Sequence, residues 1–499
     1  MPSQDALLSA LIFTPGLVGL ALLLFVPRDA VRVHRWASML AALATFGLAL
    51  TAWSRFDAAA PSFQLTEVHR WIPQLGIAYR LGMDGISLLL VLLTALLQPI
   101  VLLSSWSSVN DKVKGYVASM LLLETGMLGA FLATDLFLFY IFWELMLIPM
   151  YFIIGVWGGE RRVYAAVKFV LFTLAGSLLM LVGILYLGWL HFTQLGTWSF
   201  DYAALRGLAI PMGTSFWHSP QLLLFAAFAL AFGIKVPVWP LHTWLPDAHT
   251  EAPTGGSIIL AGVLLKLGTY GLLRFNRVLF PEAWQSATPL FLVLAVIAII
   301  YGALVAWAQK DMKKLVAYSS VSHMGFIVLG LFAGTMASTQ GALIQMVNHG
   351  LSTGALFLLV GVIYNRRHTR LIEDFGGLAK VMPLYTGAFL IATLASIGLP
   401  GLNGFVGEFL ILAGSFAGHP VVVALAATGI VLGAIYMLSL VQRVFWNPLV
   451  HDENRGLTDL TWQEIVSFAP LAAMMFWIGV YPSTFLKLSE AAVRHLIGG

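Results

Sequence analysis

The sequence predicts an all-α polytopic membrane protein with about fourteen transmembrane helices, and three observations support this fold class. Hydrophobic residues make up 59% of the 499 residues and charged residues only 10%, whereas soluble domains are about a quarter charged. Apolar stretches of about 20 residues recur, which is the length of helix that spans a bilayer. Such continuous stretches indicate helices, because a helix satisfies its own backbone hydrogen bonds in lipid.

The chain contains fourteen candidate spans, and the loops between them are short except at residues 54–83, 191–220 and 446–462. The first span follows an acidic start, MPSQD, which lacks the basic region of a signal peptide. It is therefore interpreted as a true membrane span. The predicted spans lie near residues 6–26, 36–53, 84–105, 115–134, 136–157, 164–190, 221–245, 255–275, 288–308, 314–335, 340–364, 383–415, 420–446 and 463–485.

Lysine and arginine residues are divided unevenly between the two sets of alternating loops. One set holds sixteen of the 27 and the other holds eight, while Lys168, Lys235 and Lys266 fall inside spans. Arg274 and Lys313 are counted among the loop residues. The basic-rich side faces the cytoplasm, so both termini are predicted on the periplasmic side of a bacterial cytoplasmic membrane. The net charge of +4 thus reflects topology, and the scattered basic residues give no indication of nucleic-acid binding.

Three pairs of similar segments recur in the same order and indicate an internal repeat. They pair spans 6, 7 and 8 with spans 11, 12 and 13, which are five spans further along. An odd offset gives the two units opposite orientations in the membrane, as in the inverted repeats of transporters. The segments are GSLLMLVGILY (176–186) with GALFLLVGVIY (354–364), IKVP (234–237) with IGLP (397–400), and YGLLRFNRV (270–278) with YMLSLVQRV (436–444).

The repeat divides the chain into four parts, and each copy carries a helix break. The predicted parts are N-terminal spans at 1–114, a first repeat at 115–275, a second repeat at 288–446 and a last span within 447–499. The breaks lie in FGIKVPVWP of span 7 and SIGLPGLNGFVGEF of span 12. Broken helices in matching positions of two repeats indicate the site of binding or transport.

Four charged residues lie deep inside predicted spans and form the primary candidate site. Glu144 lies in span 5, and Lys235 and Lys266 lie in spans 7 and 8. Glu408 follows the break in span 12. A charge at the centre of a bilayer costs about 2.5–3.5 kcal/mol on insertion scales, so such residues are paired or face water and are functional by default. Their alternative interpretation is a set of fixed structural ion pairs.

Five further polar residues are candidates of varying strength. His349 lies deep in span 11 and is interpreted as functional, whereas His323 in span 10 is equally consistent with proton transfer and with a neutral, hydrogen-bonded histidine. Glu124 in span 4 is either a proton carrier or a local hydrogen-bond partner. Lys168 lies near the start of span 6 and is expected to extend to the membrane interface. His242, just after the break in span 7, is a secondary candidate.

The break beside Lys235 predicts a switchable proton carrier. Prolines free backbone carbonyls, which at membrane depth need polar partners or water, and Lys235 is expected to meet that need. Burial disfavours the charged form of a lysine and a nearby carboxylate favours it. Glu144 and Lys235 are therefore predicted to form a buried, water-reachable ion pair whose separation gates the proton. The charged and histidine residues from span 5 to span 12 together predict a lateral proton relay.

No motif in the sequence predicts a cofactor or metal on this chain. The absence of cysteine excludes disulfides, thiolate metal sites and iron–sulfur clusters held by this chain. The sequence also contains no Gly-rich phosphate loop, no HExxH motif and no acidic pair at metal-ligand spacing.

The segment KVPVWPLHTWLPDAHTEAPTGGSIILAGVLLKLGTYGLLRF resembles the signature of the antiporter-like subunits of respiratory complex I, and the likeness covers nearly the whole chain. The L and N types, like the large Mrp antiporter subunits, have a lysine in the second broken helix. This chain has Glu408 in NGFVGEFLIL, which is the pattern of the M type. The L type also has a long amphipathic helix after its last span, and this sequence ends soon after span 14.

The resemblance implies a role for each primary candidate. Glu144 and Lys235 match the pair of the first half-channel, and Lys266 matches the connecting lysine at the centre. His323 and His349 match relay positions, and Glu408 matches the end of the second half-channel. The implied partners are neighbouring L- and N-type subunits, and the implied activity is that of a subunit of a proton-translocating NADH:quinone oxidoreductase. NADH, FMN, iron–sulfur clusters and quinone belong, on this resemblance, to other subunits.

Three alternatives remain at the level of the sequence. The nearest is a related subunit of a ferredoxin- or hydrogenase-linked complex, or of an Mrp-type cation/proton antiporter; Glu408 argues against the Mrp type only. A stand-alone transporter for a small solute is less consistent with polar residues that run from span 5 to span 12. A purely structural subunit leaves the four deep charges unexplained.

Overall fold

Long helices packed side by side and joined by short loops form the protein in the computed structural model, which describes residues 6–498. The acidic start, residues 1–5, and Gly499 lie outside the described residues. The helices are α1 (Leu7–Phe25), α2 (Val31–Ser54), α3 (Gly85–Ser104), α4 (Val113–Leu132), α5 (Leu136–Trp157), α6 (Arg162–Leu195), α7 (Tyr202–Arg206), α8 (Pro220–Lys235), α9 (Trp244–Glu251), α10 (Thr254–Leu279), α11 (Pro281–Trp307), α12 (Met312–Ala333), α13 (Met336–Arg367), α14 (Pro383–Ser396), α15 (Asn403–Phe416), α16 (Pro420–Trp446), α17 (Trp462–Val480) and α18 (Ser483–Ile497).

Twelve helices of the described part are long and apolar enough to cross a membrane. The all-helical membrane fold class is therefore confirmed. Predicted spans 7 and 12 are absent from the twelve because each is divided into two shorter helices, α8 with α9 and α14 with α15. The count of fourteen spans and the inverted relation of the two repeats stay predictions.

The break between α8 and α9 follows from the prolines after Lys235, since proline has no N–H to continue the helix. The amide of Val238 donates to the carbonyl of Gly233 at 2.8 Å, which leaves the carbonyl of Ile234 without its usual partner. The indole N–H of Trp244 donates to that carbonyl at 2.8 Å. The expectation that Lys235 would satisfy the freed carbonyl is therefore wrong, because a tryptophan from the second half-helix meets this need.

The break between α14 and α15 has a different local cause. Gly398 and Gly401 adopt positive φ angles of 74° and 92°, a region that glycine enters without steric cost. A Cβ on Gly398 would also lie 2.8 Å from Oε2 of Glu408. The glycine thus permits both the turn and the close approach of the carboxylate.

Two elements lie in regions that the sequence assigned to loops or to the last span. Strands β1 (Gln64–Ile72) and β2 (Ile77–Met83) form an antiparallel hairpin within the predicted loop 54–83. Helix α18 follows the last predicted span and packs on α3, where a Cβ on Gly85 would clash with the carbonyl of Leu488. Both elements cover one end of the helix bundle.

Asp135 joins the hairpin to the start of α5. Its carboxylate accepts hydrogen bonds from the amides of Phe137 and Leu138, both at 3.0 Å, and from the amide of Ala78 at 3.3 Å. Burial raises the pKa of Asp135 from 3.8 to about 6, although these donors and the charge of Arg80 oppose the rise.

Two basic residues that the sequence placed in loops are buried in helices. Arg274 lies in a π-helical turn of α10, and its Nη2 donates to both carboxylate oxygens of Asp84, at 2.7 and 2.6 Å. Asp84 also caps α3 through the amides of Ile86 and Ser87. Lys313 lies in the first turn of α12 and is 6% exposed. The loop assignments of Arg274 and Lys313 are thus wrong. Arg274 lies at the end of predicted span 255–275, where α10 continues to Leu279. Lys313 lies just before predicted span 314–335, where α12 begins at Met312.

Helices α10 and α13 lie at the centre of the bundle. Both are enclosed on all sides by other helices, whereas most of α16 and α17 faces outwards. These two central helices carry Lys266 and His349, so the candidate site lies in the interior of the protein.

Candidate functional site

Lys266 and His349 form the centre of the candidate site. Nζ of Lys266 lies 2.6 Å from Nδ1 of His349 and also donates to the carbonyl of Ala261. Both side chains are buried. Lys266 follows directly after a π-helical turn, Leu260–Leu264, and such turns are frequent at functional sites.

His323 and Glu408 continue the site from His349 towards the second helix break. The rings of His349 and His323 lie 5.8 Å apart between centroids, and Nε2 of His349 has no hydrogen-bond partner in the described residues. Nδ1 of His323 lies 3.3 Å from Oε1 of Glu408. Lys266, His349, His323 and Glu408 therefore form one buried row, here called the central row.

Neutral polar side chains support the central row. Nε2 of Gln345 donates to Oε1 of Glu408 at 3.3 Å, and the hydroxyl of Ser396 lies 3.3 Å from Nε2 of His323. Asn348 donates to Gln345 Oε1 at 3.1 Å and to the carbonyl of Asn403 at 2.7 Å. These contacts join α13 to the start of α15 and fix Glu408 beside the break.

Glu144 and Lys235 form a second, separate group. Lys235 ends α8, is 2% exposed, and has its ammonium 5.2 Å from the ring centroid of Trp143 and 5.5 Å from that of Phe169. Glu144 lies near enough to act on Lys235 electrostatically. The ammonium nitrogen of Lys235 and the carboxylate oxygens of Glu144 are more than 4.0 Å apart. The predicted direct contact is therefore not formed in this structure. The aromatic faces take the place of the carboxylate as the immediate neighbours of the ammonium.

Lys168 pairs with a carboxylate that the sequence did not single out. Its Nζ lies 2.6 Å from Oδ2 of Asp247 on α9, and both side chains are partly exposed. The expectation that Lys168 simply extends to the interface is therefore incomplete, because the residue ties α6 to the second half-helix. His242 lies in the same break, with its ring 5.3 Å from that of Tyr301 and no partner for Nδ1 in the described residues.

His249 is a functional candidate that the sequence missed. Its ring is fully buried, stacks on Phe357 at 4.7 Å, and has no hydrogen-bond partner for either nitrogen within residues 6–498. Lys266 and Lys313 are the two cations that act on it electrostatically. Asp247 and His249 were missed because span 7 was predicted to end at residue 245, whereas α9 continues to Glu251.

Glu124 lies apart from both groups. It is fully buried in α4, and neither carboxylate oxygen has a hydrogen-bond partner in the described part of the chain. An unpaired carboxylate in this position would carry the full cost of removing a charge from water. Of the two interpretations of Glu124, that of a local hydrogen-bond partner finds no such bond among the described residues.

The central row has the chemistry of a proton relay. An imidazole accepts a proton on one nitrogen and releases one from the other, and Lys266 lies within hydrogen-bond distance of His349. The two histidine rings lie 5.8 Å apart between centroids, and Nε2 of His349 has no hydrogen-bond partner in the described residues. Residues 6–498 contain no group of three or more histidine, aspartate or glutamate side chains that could hold a metal ion.

Comparison with known proteins identifies the family. The family described as NADH:quinone oxidoreductase/Mrp antiporter, transmembrane, matches residues 133–433. The chain belongs to this family. The matched segment contains both helix breaks, the central row, and the group of Glu144 and Lys235.

Individual relatives agree with this assignment over nearly the whole chain. NADH-quinone oxidoreductase subunit M of Rhodobacter capsulatus is 46% identical, with 98% of this chain and 96% of the relative covered. A chain of respiratory complex I from Thermus thermophilus with bound NADH is 36% identical, with a TM-score of 0.87 over 99% of this chain and 100% of that chain. A chain of the Mrp complex from Dietzia sp. shares the fold at 21% identity, with a TM-score of 0.84 over 99% and 98% of the two chains.

Proposed function

We propose that this chain is the M-type, proton-translocating subunit in the membrane arm of an NADH:quinone oxidoreductase. The observation that carries the proposal is the buried central row from Lys266 to Glu408, in a chain 46% identical to a subunit M. Electron transfer from NADH through FMN and iron–sulfur clusters to quinone takes place on other subunits. The chain itself moves protons.

The proposed transfer runs along the central row by short steps. Protonated Lys266 gives its proton to Nδ1 of His349, 2.6 Å away, and His349 releases the proton on its Nε2. A bridging water passes a proton to His323, which delivers one to Glu408 at 3.3 Å. His249, between Lys266 and Lys313, extends the row towards the first broken helix.

Glu144 and Lys235 are proposed to gate the first half-channel. In this structure the ammonium faces two aromatic rings, and Glu144 acts on it only at a distance. In the gating proposal, this arrangement is assigned to the separated state of the pair. Approach of the carboxylate would favour the charged lysine, and its withdrawal would favour release of the proton.

Neighbouring subunits are proposed to complete the second half-channel. A cavity of about 380 Å³ beside Glu408 is lined otherwise by apolar residues of the α14–α15 break, α15 and α16 and opens on the outer surface of the bundle. An ionisable group next to such an opening requires a cover that excludes lipid. An adjoining L- or N-type subunit in a bacterial cytoplasmic membrane, with this chain's termini on the periplasmic side, is the proposed cover and setting.

The experiment that tests the proposal is purification of the tagged chain from its native membrane. We expect NADH-oxidising subunits and L- and N-type subunits to copurify, and the preparation to reduce quinone with NADH and to pump protons when reconstituted. Copurification with ferredoxin- or hydrogen-linked redox subunits would instead favour a related complex. Copurification with Mrp subunits and no redox subunit would favour a cation/proton antiporter.

A further inference from the structure

Two basic residues bind the C-terminal end of α9, which is the second half of the first broken helix. Nζ of Lys313 donates to the carbonyl of Ala252 and lies 3.5 Å from the carbonyl oxygen of Thr250. Nη1 of Arg370 donates to the same Thr250 carbonyl at 2.7 Å. Cations at a helix C-terminus complement its free carbonyls and dipole. Lys313 and Arg370 are here called the α9 clamp.

The clamp connects the two predicted repeats. Lys313 begins α12 and Arg370 follows α13, both within residues 288–446, whereas α9 belongs to the first repeat. Arg370 is itself held by Asp311, with Nε and Oδ2 3.3 Å apart. Lys313 is buried, and no carboxylate oxygen lies within 4.0 Å of its Nζ. Asp311 and Glu251 act on it electrostatically from further away, so the carbonyls of the α9 end are its immediate partners.

His249 lies next to the clamped end and has unused hydrogen-bonding capacity. It lies one residue before Thr250, and both of its ring nitrogens lack partners in the described residues. Lys313 and Lys266 act on the ring electrostatically. A shift or rotation of the α9 end would therefore change where His249 lies relative to Lys266.

Water can reach the clamp. A cavity of about 120 Å³ is lined by Gly158, Glu251, Lys313, Tyr364 and Arg370, among others. Its volume exceeds that of a single water molecule. It lies between two loops that the sequence predicts on the cytoplasmic side, 158–163 and 365–382.

We propose that Lys313 and Arg370 are positioning residues of the proton pathway. They hold the C-terminal carbonyls of α9 so that His249 stays opposite Lys266, and they thereby link the first broken helix to the second repeat. This inference rests on the proposed function. It assigns no transfer step to the clamp itself.

The test replaces Lys313 in the assembled complex and measures two quantities. K313M should lower the number of protons pumped per NADH oxidised at least about twofold. It should also raise amide hydrogen exchange in residues 244–252 at least about fivefold, the change expected for the loss of about 1 kcal/mol. K313R retains a donor for the carbonyls and should restore most of both properties. K314M is the matched control, because Lys314 is the next residue, is partly exposed, and uses only its backbone in the helix cap.

The results separate this inference from the proposed function. If K313M pumps and exchanges like the wild type while Glu144→Gln abolishes pumping, the clamp proposal is wrong and the proposed function stands. If both variants pump normally, the proposed function fails as well. If K313M does not assemble, R370Q removes the more exposed half of the clamp. Normal proton pumping and normal amide exchange in R370Q would then show that the clamp proposal is wrong.

Discussion

The side chain of Lys235 shows how the protein accommodates a buried cation without a carboxylate in contact. Its ammonium lies over the rings of Trp143 and Phe169, and a desolvated cation–π contact is worth about 2 kcal/mol. Breaking a buried ion pair costs about 3–5 kcal/mol. The aromatic contacts therefore stabilise the separated state partly, which keeps it within reach of the paired state.

Removing either member of this pair should stop proton transfer. Without Glu144 the lysine lacks the carboxylate that favours its charged form, and without Lys235 the group that carries the gated proton is missing. We expect Glu144→Gln and Lys235→Ala each to reduce pumping at least about tenfold, equivalent to about 1.36 kcal/mol. The double variant should be about as inactive as either single variant, since the residues act as one unit.

The measurement for this pair is proton pumping and NADH:quinone reductase rate in membranes that contain the assembled complex. Glu160→Gln is the matched control, because Glu160 is an exposed loop residue. Normal pumping by both single variants would show that the pair is only a structural contact.

Replacing Glu408 by glutamine should leave the structure intact but impair proton transfer. Its oxygen accepts from Gln345 at 3.3 Å and faces His323, and a glutamine can preserve the first contact without accepting a proton. We expect Glu408→Gln to assemble and to lose most pumping, and Glu408→Asp to retain more, because it can still titrate. A glutamine variant with full pumping and full quinone reductase rate would contradict this role.

Asp135, which lies between two membrane-spanning helices, should make the stability of the protein depend on pH. Its pKa is about 6 in the folded protein against 3.8 when unperturbed, so the folded state binds the proton more tightly. The resulting stabilisation is complete below about pH 4 and is lost as the pH rises through 6, by about 3 kcal/mol in total. Asp135→Asn keeps a helix-capping side chain and should lack this loss.

Thermal unfolding of the purified complex between pH 4 and pH 7 tests this prediction. The wild type should lose stability relative to Asp135→Asn over that range, so that the variant is relatively more stable at pH 7 than at pH 4. Parallel curves for the two proteins would mean that Asp135 titrates with its ordinary pKa.

At the scale of elements, the two broken helices reach the same geometry by different chemistry. The α8–α9 break depends on prolines and on a tryptophan that satisfies a freed carbonyl. The α14–α15 break depends on Gly398 and Gly401 at positive φ and on the paired amides of Asn348 and Asn403. At the first break a side-chain donor thus satisfies a freed carbonyl, whereas at the second the backbone amide of Leu399 donates to the carbonyl of Leu394 at 3.1 Å.

Trp244→Phe should destabilise the first break. The ring is fully buried and packs on Phe169 at 5.3 Å, and phenylalanine keeps most of that packing but has no N–H. The unsatisfied Ile234 carbonyl should cost about 1–3 kcal/mol. We expect a lower thermal midpoint of the complex, with Trp189→Phe as the control because Trp189 is 46% exposed. Equal midpoints for the two variants would mean that water replaces the indole.

At the scale of the whole molecule, two enclosed helices carry the pathway and the outer helices face their surroundings. Lys266 on α10 and His349 on α13 lie where other helices surround them on all sides. Of the ends of the proposed pathway, Glu408 lies beside the cavity that opens on the outer surface, and Glu144 is partly exposed. The orientation of the molecule in its membrane therefore decides from which side each end is loaded.

Cysteine labelling tests the predicted orientation, and the natural absence of cysteine leaves single substitutions unambiguous. An impermeant thiol reagent added to intact spheroplasts should label Ala59→Cys and Ala203→Cys. It should not label Arg162→Cys or Asn365→Cys. All four positions are exposed in the structure, so access does not limit the comparison. The reverse labelling pattern would contradict both termini being periplasmic.

The sequence predicted the fold class and most of the charged site because both depend on local rules. Length and hydropathy identify helices in lipid, and a deep charge such as Lys266 is conspicuous in an apolar stretch. The rules fail where the chain departs from them. His249 lay beyond a predicted span end. Arg274 was counted with the loop because it lies one residue before the end of predicted span 255–275, whereas α10 continues to Leu279. Gln345 was missed because neutral amides do not stand out from hydropathy. The spacing of Glu144 and Lys235 depends on tertiary packing, which no local rule supplies.

The ion pair between Arg274 and Asp84 limits how far the backbone of Lys266 can move. The aromatic rings of Phe63, Tyr202 and Tyr270 lie within 6 Å of the guanidinium and shield the bond. The bond holds α10 to the start of α3. Lys266 lies eight residues away on the same rod, about 12 Å along its axis. The backbone of Lys266 is therefore held at a fixed depth in the bundle. On the proposed pathway, a proton therefore passes Lys266 by transfer between neighbouring groups, and not on a carrier that moves across the bilayer.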